Sequence, residues 1–191
     1  TNVYGYILRI YRLLFYRSLP LFPEKSVEMN LSKSHTLKTL LPLASKWRSE
    51  GEVVVFTNGV FDILHIGHLH CLESALALGT KLVVGVNSDA SVRRMGKSPD
   101  RPIHSDLNRV RLLAALSCVD AVVIFDSDTP LSIITLLSPE VLVKGGDYDP
   151  SCTDRKNPDY IVGSTETRAA GGKVHSVPLL QGYSTTQILN Q

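Results

Sequence analysis

The sequence lacks the features that mark membrane, secreted and nucleic-acid-binding proteins. No apolar run approaches the roughly 20 residues that a membrane helix needs, because two arginines interrupt the nearest run, residues 7–16. The three cysteines, Cys71, Cys118 and Cys152, are far apart and form no CxxC pair, which favours a reducing cytoplasm over a disulfide framework. The formal net charge is only +2, so nucleic acid and membranes are not expected as partners, and any anion site must be local.

Acidic residues are missing from the first 23 positions, where arginines alternate with aromatic residues. An interfacial amphipathic helix, a targeting leader and an appendage outside the folded core are the alternatives, and we favour the appendage. Met29, just before the first helical pattern, is a candidate natural start. We therefore predict an appendage over residues 1–30, which need be neither ordered nor native to the domain, and a single folded domain over residues 31–191.

From residue 37 onward, helix-like and strand-like patterns alternate. Strand-like apolar runs span residues 53–57, 81–87, 121–125, 141–144 and 173–177. Helical spacing spans residues 37–47, 67–78, 105–117 and 130–137. This order predicts an α/β fold, a single doubly wound parallel sheet of about five strands that is Rossmann-like, with helices on both faces. Ligands are then expected beyond the carboxyl ends of the strands.

Local residues suggest where the helices begin and end. Pro42 is expected to start a second short segment in the first helix, and Gly51 to end it. Ser105 is a predicted N-terminal cap, and Asp128-Thr129-Pro130 is predicted to supply another. Gly79 and Gly171 stand where helices should stop.

The segment 56–68 leaves the first strand and enters a helix, at the predicted ligand edge of the sheet. His65 and His68 are three residues apart at the helix start, where both imidazoles can face one side, and Gly67 lets a phosphate approach the backbone. The helix terminus favours an anion, and imidazoles can donate hydrogen bonds to oxygens that gain charge during a displacement. The alternatives are packing histidines or a zinc site. Zinc lacks further ligands at suitable spacing, because Asp62 is the only carboxylate nearby and Cys71 is expected on another helix face.

Two further segments could bind phosphate at the same edge. Lys144 ends a strand-like run, and the two glycines after it allow close backbone approach. Ser184 is a natural N-terminal cap for a final helix. The Ser184 hydroxyl, Thr185 and the amides at the start of that helix would form a second anion-binding site. A cluster of basic residues follows the second strand on a predicted loop. The plainer alternatives are a solvated turn lysine, an ordinary capped helix and a solvated charged face.

Four runs carry a resemblance to a known family. The run TNGVFDILHIGH, residues 57–68, resembles the first signature of the HxGH nucleotidylyltransferase superfamily, which includes phosphopantetheine adenylyltransferase and the cytidylyltransferases. The run GYSTTQI, residues 182–188, resembles its GxSTTxI signature. The runs VLVKGGDY and NSDASVRR, residues 141–148 and 87–94, resemble the D-glycero-β-D-manno-heptose 1-phosphate adenylyltransferase branch. Departures are Tyr183, a longer loop at residues 149–162, and the absence of a basic residue after the final helix.

The resemblance covers about residues 37–189 and implies a function. It implies a cytoplasmic adenylyltransferase that joins AMP from ATP to a sugar 1-phosphate, giving ADP-heptose for a surface glycan and pyrophosphate, with Mg²⁺ accompanying the triphosphate. A stand-alone form without the sugar kinase domain of some relatives is expected. The alternatives are a cytidylyltransferase acting on glycerol 3-phosphate or a similar alcohol phosphate, and a non-catalytic nucleotide-binding domain. The expected partners are ATP and the sugar 1-phosphate, with no nucleic acid and no membrane, and a homo-oligomer is compatible with the sequence.

Three sets of residues are predicted for this site, and no protein-bound metal is expected. The catalytic set is His65, His68 and Lys144. The nucleotide-binding set is Thr57, Asn58, Gly59, Phe61, Gly67, Asn87, Gly145, Ser184, Thr185 and Thr186. The phosphate-binding or substrate-binding set is Asp62, Arg93, Arg94, Lys97, Arg109 and Asp147.

Overall fold

A computed structural model of the chain describes residues 32–96, 100–180 and 182–183. The predictions for residues 1–30 therefore lie outside the described residues. The strands are β1 (Ser34–His35), β2 (Val54–Gly59), β3 (Lys81–Asn87), β4 (Ala121–Phe125), β5 (Val141–Gly145) and β6 (Lys173–Val177). The helices are α1 (Leu37–Ser49), α2 (Ile66–Leu76), α3 (Asp89–Arg94), α4 (Asp106–Ala114), α5 (Leu131–Leu137) and α6 (Ser164–Ala169).

The described strands form one parallel sheet in the order β1-β4-β3-β2-β5-β6. From β2 the chain builds outward through β3 to β4, then crosses back to place β5 on the other side of β2. The strand order therefore switches direction between β2 and β5. In open parallel sheets the crevice beyond the carboxyl ends of such strands is where ligands bind.

Helices cover both faces of the sheet, as the alternating pattern predicted. Side chains of α2 and α4, among them Leu72 and Leu113, join one buried apolar cluster with Val55 of β2. Side chains of α1 and α5, among them Leu40, join a second cluster with Phe56 of the same strand. Successive β2 residues thus point to opposite faces, and each face is buried. The Rossmann-like α/β prediction is confirmed.

Most predicted boundaries agree with the structure within a few residues. The strands predicted over 81–87, 121–125 and 173–177 match β3, β4 and β6. The Ser105 hydroxyl caps α4 by accepting a hydrogen bond from the Asn108 amide. Gly51 and Gly171 follow the ends of α1 and α6 with positive φ values of 84° and 85°. Gly79 lies beyond the end of α2, where a Cβ would stand 2.7 Å from the Val53 carbonyl oxygen.

Four local predictions were wrong or incomplete. Strand β1, two residues long, adds a sixth strand to the about five expected. The segment after β3 forms helix α3 instead of a loop, because the Ser88 hydroxyl caps it. Pro42 lies inside α1 on an exposed face, because a capping box at Thr36 starts that helix earlier. Asp128 caps no helix, since its carboxylate pairs with Arg94 instead.

Helix α6 was not among the predicted helical segments, although Gly171 was read as a helix end. It has only six residues, which is too short for a clear 3.6-residue period. Among the helices in the described part of the chain, none is long and apolar enough to cross a membrane.

Candidate active site

A cavity of about 340 Å³ opens beyond the carboxyl ends of β2 and β5, where the strand order switches. Its wall combines the turn after β2, the first turns of α2 and the end of β5. Predicted site residues in this wall are Thr57, Asn58, Gly59, Phe61, Asp62, His65, Gly67, His68, Lys144 and Gly145. The residues that sequence reasoning did not assign to the site are Val60, Cys71, Val92, Met95, Arg101, Tyr148, Leu179, Leu180 and Tyr183.

His65 and His68 form a stacked pair at the start of α2. His65 is the N-cap residue, with extended backbone angles, and its ring lies 3.9 Å from the His68 ring between centroids. The ring of Phe61 meets the His68 ring edge-on at 5.3 Å. A Cβ on Gly67 would stand 3.0 Å from the Nδ1 atom of His65, so a residue without a side chain leaves room for the stack.

Both imidazoles are held in the neutral form. Burial lowers the pKa of His65, and burial together with the charges of His65 and Arg101 lowers the pKa of His68 to about 4. Each neutral ring keeps one N–H donor. The two Nδ1 atoms are buried without a hydrogen-bond partner among the described residues, while a hydrogen bond with the Ile63 backbone partly opposes the lowering of the His68 pKa.

Lys144 supplies positive charge on the β5 side of the cavity. Its Nζ atom lies 3.5 Å from the carbonyl oxygen of Asn58 and 5.6 Å from the centre of the Tyr148 ring. Next to it, Gly145 faces Cys71 of α2, and a Cβ at Gly145 would stand 2.7 Å from the Cys71 sulfur. Cys71 therefore lines the cavity, contrary to the expectation that it faces elsewhere. Burial raises the pKa of its thiol, so the protonated form predominates at neutral pH.

The carboxylate of Asp62, which was predicted to bind substrate, is fully engaged within the protein. The side chain has no exposed surface, and it accepts hydrogen bonds from the Ile103 and His104 amides, each at 2.9 Å, and from Arg101 Nε at 3.0 Å. Burial raises the pKa of Asp62, but these donors more than offset it and leave the pKa below its ordinary value. Asp62 thus anchors the segment that carries Arg101 into the cavity wall.

Arg109, which was predicted to bind phosphate, is fully buried. Its guanidinium donates to the carbonyl oxygens of Val60 and His104 and pairs with Asp89 at 2.8 Å. It lies on the inner face of α4 beside Val110 and holds the turn after β2 in place from behind. Its charge is satisfied by protein oxygens and does not reach the cavity.

Arg93 and Arg94 are also outside the cavity walls. Helix α3 turns Val92 and Met95 toward the cavity and exposes both arginines. Arg94 pairs with the carboxylates of Asp126 and Asp128. The helical phase of α3, which a loop would lack, decides which side chains face the site, so the prediction that these arginines bind phosphate is not supported.

The remaining predicted residues divide into two groups. Asp147 is exposed and borders neither of the cavities that the structure describes. Lys97, Ser184, Thr185 and Thr186 lie outside the described residues. Their assignments stay predictions.

A second cavity of about 250 Å³ adjoins the first on the α5 side of the sheet. It contains the predicted residue Asn87, whose side-chain amide donates to the Ser91 hydroxyl at 3.0 Å. The other lining residues are Asn58, Met95, Asp128, Thr129, Pro130, Leu142, Lys144, Tyr148, Pro158, Tyr160, Ile161 and Val162. Several come from the long loop before α6, which the sequence places on the ligand side but whose individual contacts no local pattern indicates.

Within the described ranges, no group of three or more histidine, cysteine, aspartate or glutamate side chains could hold a metal ion. Asp62, the carboxylate in the wall of the first cavity, is already occupied by protein donors.

Comparison with known proteins identifies the family. The family model described as cytidylyltransferase-like matches residues 56–191. The bifunctional protein HldE of Koribacter versatilis is 44% identical over 176 residues, which are 92% of this chain and 34% of that protein. The HldE of Magnetococcus marinus is 48% identical over 147 residues, 77% of this chain and 28% of that protein. The chain thus spans about a third of the length of these relatives.

Among solved structures, the lipopolysaccharide core biosynthesis protein from Thermoplasma volcanium GSS1 is similar to this chain. The two are 28% identical with a TM-score of 0.52, over 70% of this chain and all of that one. The likeness agrees with the resemblance that residues 57–68 indicated. By its sequence match over most of its length, the chain belongs to the cytidylyltransferase-like family.

Proposed function

We propose that the chain transfers the adenylyl group of ATP to a sugar 1-phosphate, with D-glycero-β-D-manno-heptose 1-phosphate as the acceptor. The observation that carries this is the neutral His65–His68 stack at the start of α2, in a cavity that also holds Lys144 and Arg101. Two neutral donors, the Lys144 ammonium group and the Arg101–Asp62 ion pair around one concave site suit a polyanion whose oxygens gain charge during reaction. This chemistry requires no side-chain nucleophile in either cavity.

In the reaction, a phosphate oxygen of the acceptor attacks the α-phosphorus of ATP. The bond from that phosphorus to the oxygen bridging the β-phosphate breaks, and pyrophosphate leaves with the electron pair. The imidazoles of His65 and His68 donate hydrogen bonds to the α-phosphate oxygens, while Lys144 and Arg101 offset the negative charge. Catalysis then consists of holding two phosphates in line and stabilising charge.

The two cavities suggest how the substrates divide. ATP would occupy the first cavity, against the histidine stack and the start of α2. The sugar phosphate would occupy the second, where the ring of Tyr160 and the polar side chains of Asn87 and Thr129 suit a hydroxylated ring. Lys144 borders both cavities and would lie beside the phosphates that react.

Mg²⁺ would enter with ATP. This ion keeps several waters and is usually bound through substrate phosphates and one or two carboxylates, so the lack of a metal cluster among the described side chains is compatible with it. When bound, it would neutralise phosphate charge. The three free cysteines and the use of ATP fit a cytoplasmic setting.

The relatives support this choice of acceptor. Proteins named HldE are 44–48% identical to the chain over the aligned segments, and the structural relative is named for lipopolysaccharide core biosynthesis. The family description favours one second candidate, a cytidylyltransferase acting on glycerol 3-phosphate or a similar alcohol phosphate. Nucleotide choice therefore needs a direct test.

The test measures pyrophosphate release by the purified chain with Mg²⁺ and either ATP or CTP. Each nucleotide is paired with a panel of sugar 1-phosphates, including the heptose, and with glycerol 3-phosphate. We expect release with ATP and the heptose 1-phosphate, and none after chelation of Mg²⁺. Release with CTP and glycerol 3-phosphate alone would favour the second candidate. Tight nucleotide binding by calorimetry without any release would leave a non-catalytic binding domain.

A further inference from the structure

The two cavities meet at a ridge formed by the four residues that border both, Asn58, Met95, Lys144 and Tyr148. Among the residues described for the two walls, Lys144 is the only one on both that carries a positive charge. Any reaction between a ligand in one cavity and a ligand in the other occurs at this ridge. The position of the Lys144 ammonium group therefore matters more than that of a cation elsewhere in the wall.

A lysine ammonium group is not fixed by its own side chain, which has four carbons and many rotamers. The carbonyl oxygen of Asn58, at 3.5 Å, lies at the outer limit of a hydrogen bond and holds Nζ weakly. The Tyr148 ring lies 5.6 Å from the same atom, within the range where the face of an aromatic ring attracts a cation. The ring thus adds a contact that favours one ammonium position.

The Tyr148 ring is itself held by the fold. Gly146 turns the chain back after β5 with a φ of 125°, and a Cβ there would stand 3.2 Å from the ring. The Gly146 amide donates to the carbonyl oxygen of Val177 at 2.9 Å, which ties the turn to β6. Tyr148 also packs against the apolar cluster under α1 and α5. A fixed ring beside a flexible lysine restrains the lysine.

We propose that Tyr148 is a positioning residue, whose ring holds the Lys144 ammonium group at the ridge where the acceptor phosphate and the nucleotide meet. This role rests on the proposed function and adds to it a residue that acts through Lys144. It requires the aromatic face of Tyr148 and makes no use of its hydroxyl. It also gives the sequence KGGDY a physical reason, since Gly146 leaves room for the Tyr148 ring, which restrains the lysine four residues before the tyrosine.

The first experiment is a double-mutant cycle on kcat/KM for the acceptor. Y148L is expected to lower kcat/KM about tenfold in the native background, the size of one cation–π contact. Y148F keeps the ring and is expected to recover most of that loss. In the K144A background, Y148L should cause no further decrease beyond about twofold, because the partner of the ring is gone.

Tyr160→Leu is the comparison, since this residue borders the second cavity but not the ridge. Its effect is expected to be the same in the native and K144A backgrounds. The role of Tyr148 would be overturned if Y148F lowered kcat/KM as much as Y148L does. It would also be overturned if Y148L lowered kcat/KM by the same factor in the K144A background as in the native one. If the native chain released no pyrophosphate from any substrate pair, the proposed function itself would fail, and the positioning role with it.

A second measurement reads the contact without turnover. In protein that contains lysine labelled with ¹³C at the ε-carbon, each lysine gives an NMR signal. The signal that is missing from K144A belongs to Lys144. We expect the ring to shift this signal in the native protein and in Y148F, and Y148L to move it toward the position of solvated lysines. An unchanged signal in Y148L would overturn the proposal, because the ring would then not contact the ammonium group in solution.

Discussion

The imidazole of His65 lies on the imidazole of His68, with ring centroids 3.9 Å apart and planes inclined by 24°. Two imidazolium ions could not occupy this arrangement without strong repulsion, and burial disfavours the charge of each as well. The pair is therefore uncharged at neutral pH. In the proposed reaction it would donate hydrogen bonds, with positive charge from Lys144 and from Arg101, which is paired with Asp62.

Protonation of the stack should destabilise the fold in mild acid. The folded pKa of His68 is about 4, below the ordinary 6.5, so the unfolded state binds the proton first as pH falls. The contribution of the neutral His68 ring to the unfolding free energy is then fully present above pH 6.5 and is lost as pH falls from there toward 4. The expected loss is about 2 kcal/mol, because one pKa unit corresponds to about 1.4 kcal/mol and the solvent contact of the ring reduces the effect of the full shift. Urea unfolding at several pH values measures this. H68N should show a shallower pH dependence, and an unchanged slope would contradict the assignment.

Loss of either histidine should reduce turnover while the fold persists. H65A and H68A each remove the proposed donor to the α-phosphate, and we expect kcat to fall by about 10²–10³, the usual effect of removing one preorganised donor. His70 lies on the same helix with its side chain exposed. H70A is therefore the matched control and should keep native turnover. Equal losses in all three variants would point to damage to α2 rather than to loss of specific donors.

The Asp62 carboxylate should matter for stability and for nucleotide affinity together. D62N removes the charge that faces Arg101 and weakens acceptance from the amides of Ile103 and His104. We expect a loss of about 1–3 kcal/mol in unfolding free energy, as for a disrupted buried hydrogen-bond group, with a higher KM for ATP. The exposed Asp159 provides a control, since D159N should leave both values near native. A D62N enzyme with native stability but lost turnover would instead indicate direct contact with substrate.

These contacts also explain which parts of the site the sequence could predict. His65, His68 and Lys144 come from short segments in which a strand end or a helix start fixes where the side chain lies. The direction of Arg101 depends on Asp62, 39 residues earlier in the chain, and no local pattern carries that information. Arg109 could have been assigned to the interior, because it shares the inner phase of α4 with Val110 and Leu113. Its charge suggested phosphate, but the helical period was the better guide.

Because α2 closely approaches the end of β5, position 145 should tolerate only glycine. A Cβ there would stand 2.7 Å from the Cys71 sulfur but 3.6 Å from the Cys71 Cβ, which is ordinary contact. G145A alone is therefore expected to destabilise the fold by about 1–3 kcal/mol through overpacking and to lower turnover by shifting Lys144. Adding C71A removes the sulfur and should restore most of the lost stability and most of the lost turnover. Thermal unfolding measures the first and pyrophosphate release the second. C71A alone, which only opens a small space, is the control. If G145A stayed equally impaired with and without C71A, the cause would lie in the β5 backbone and not in this contact.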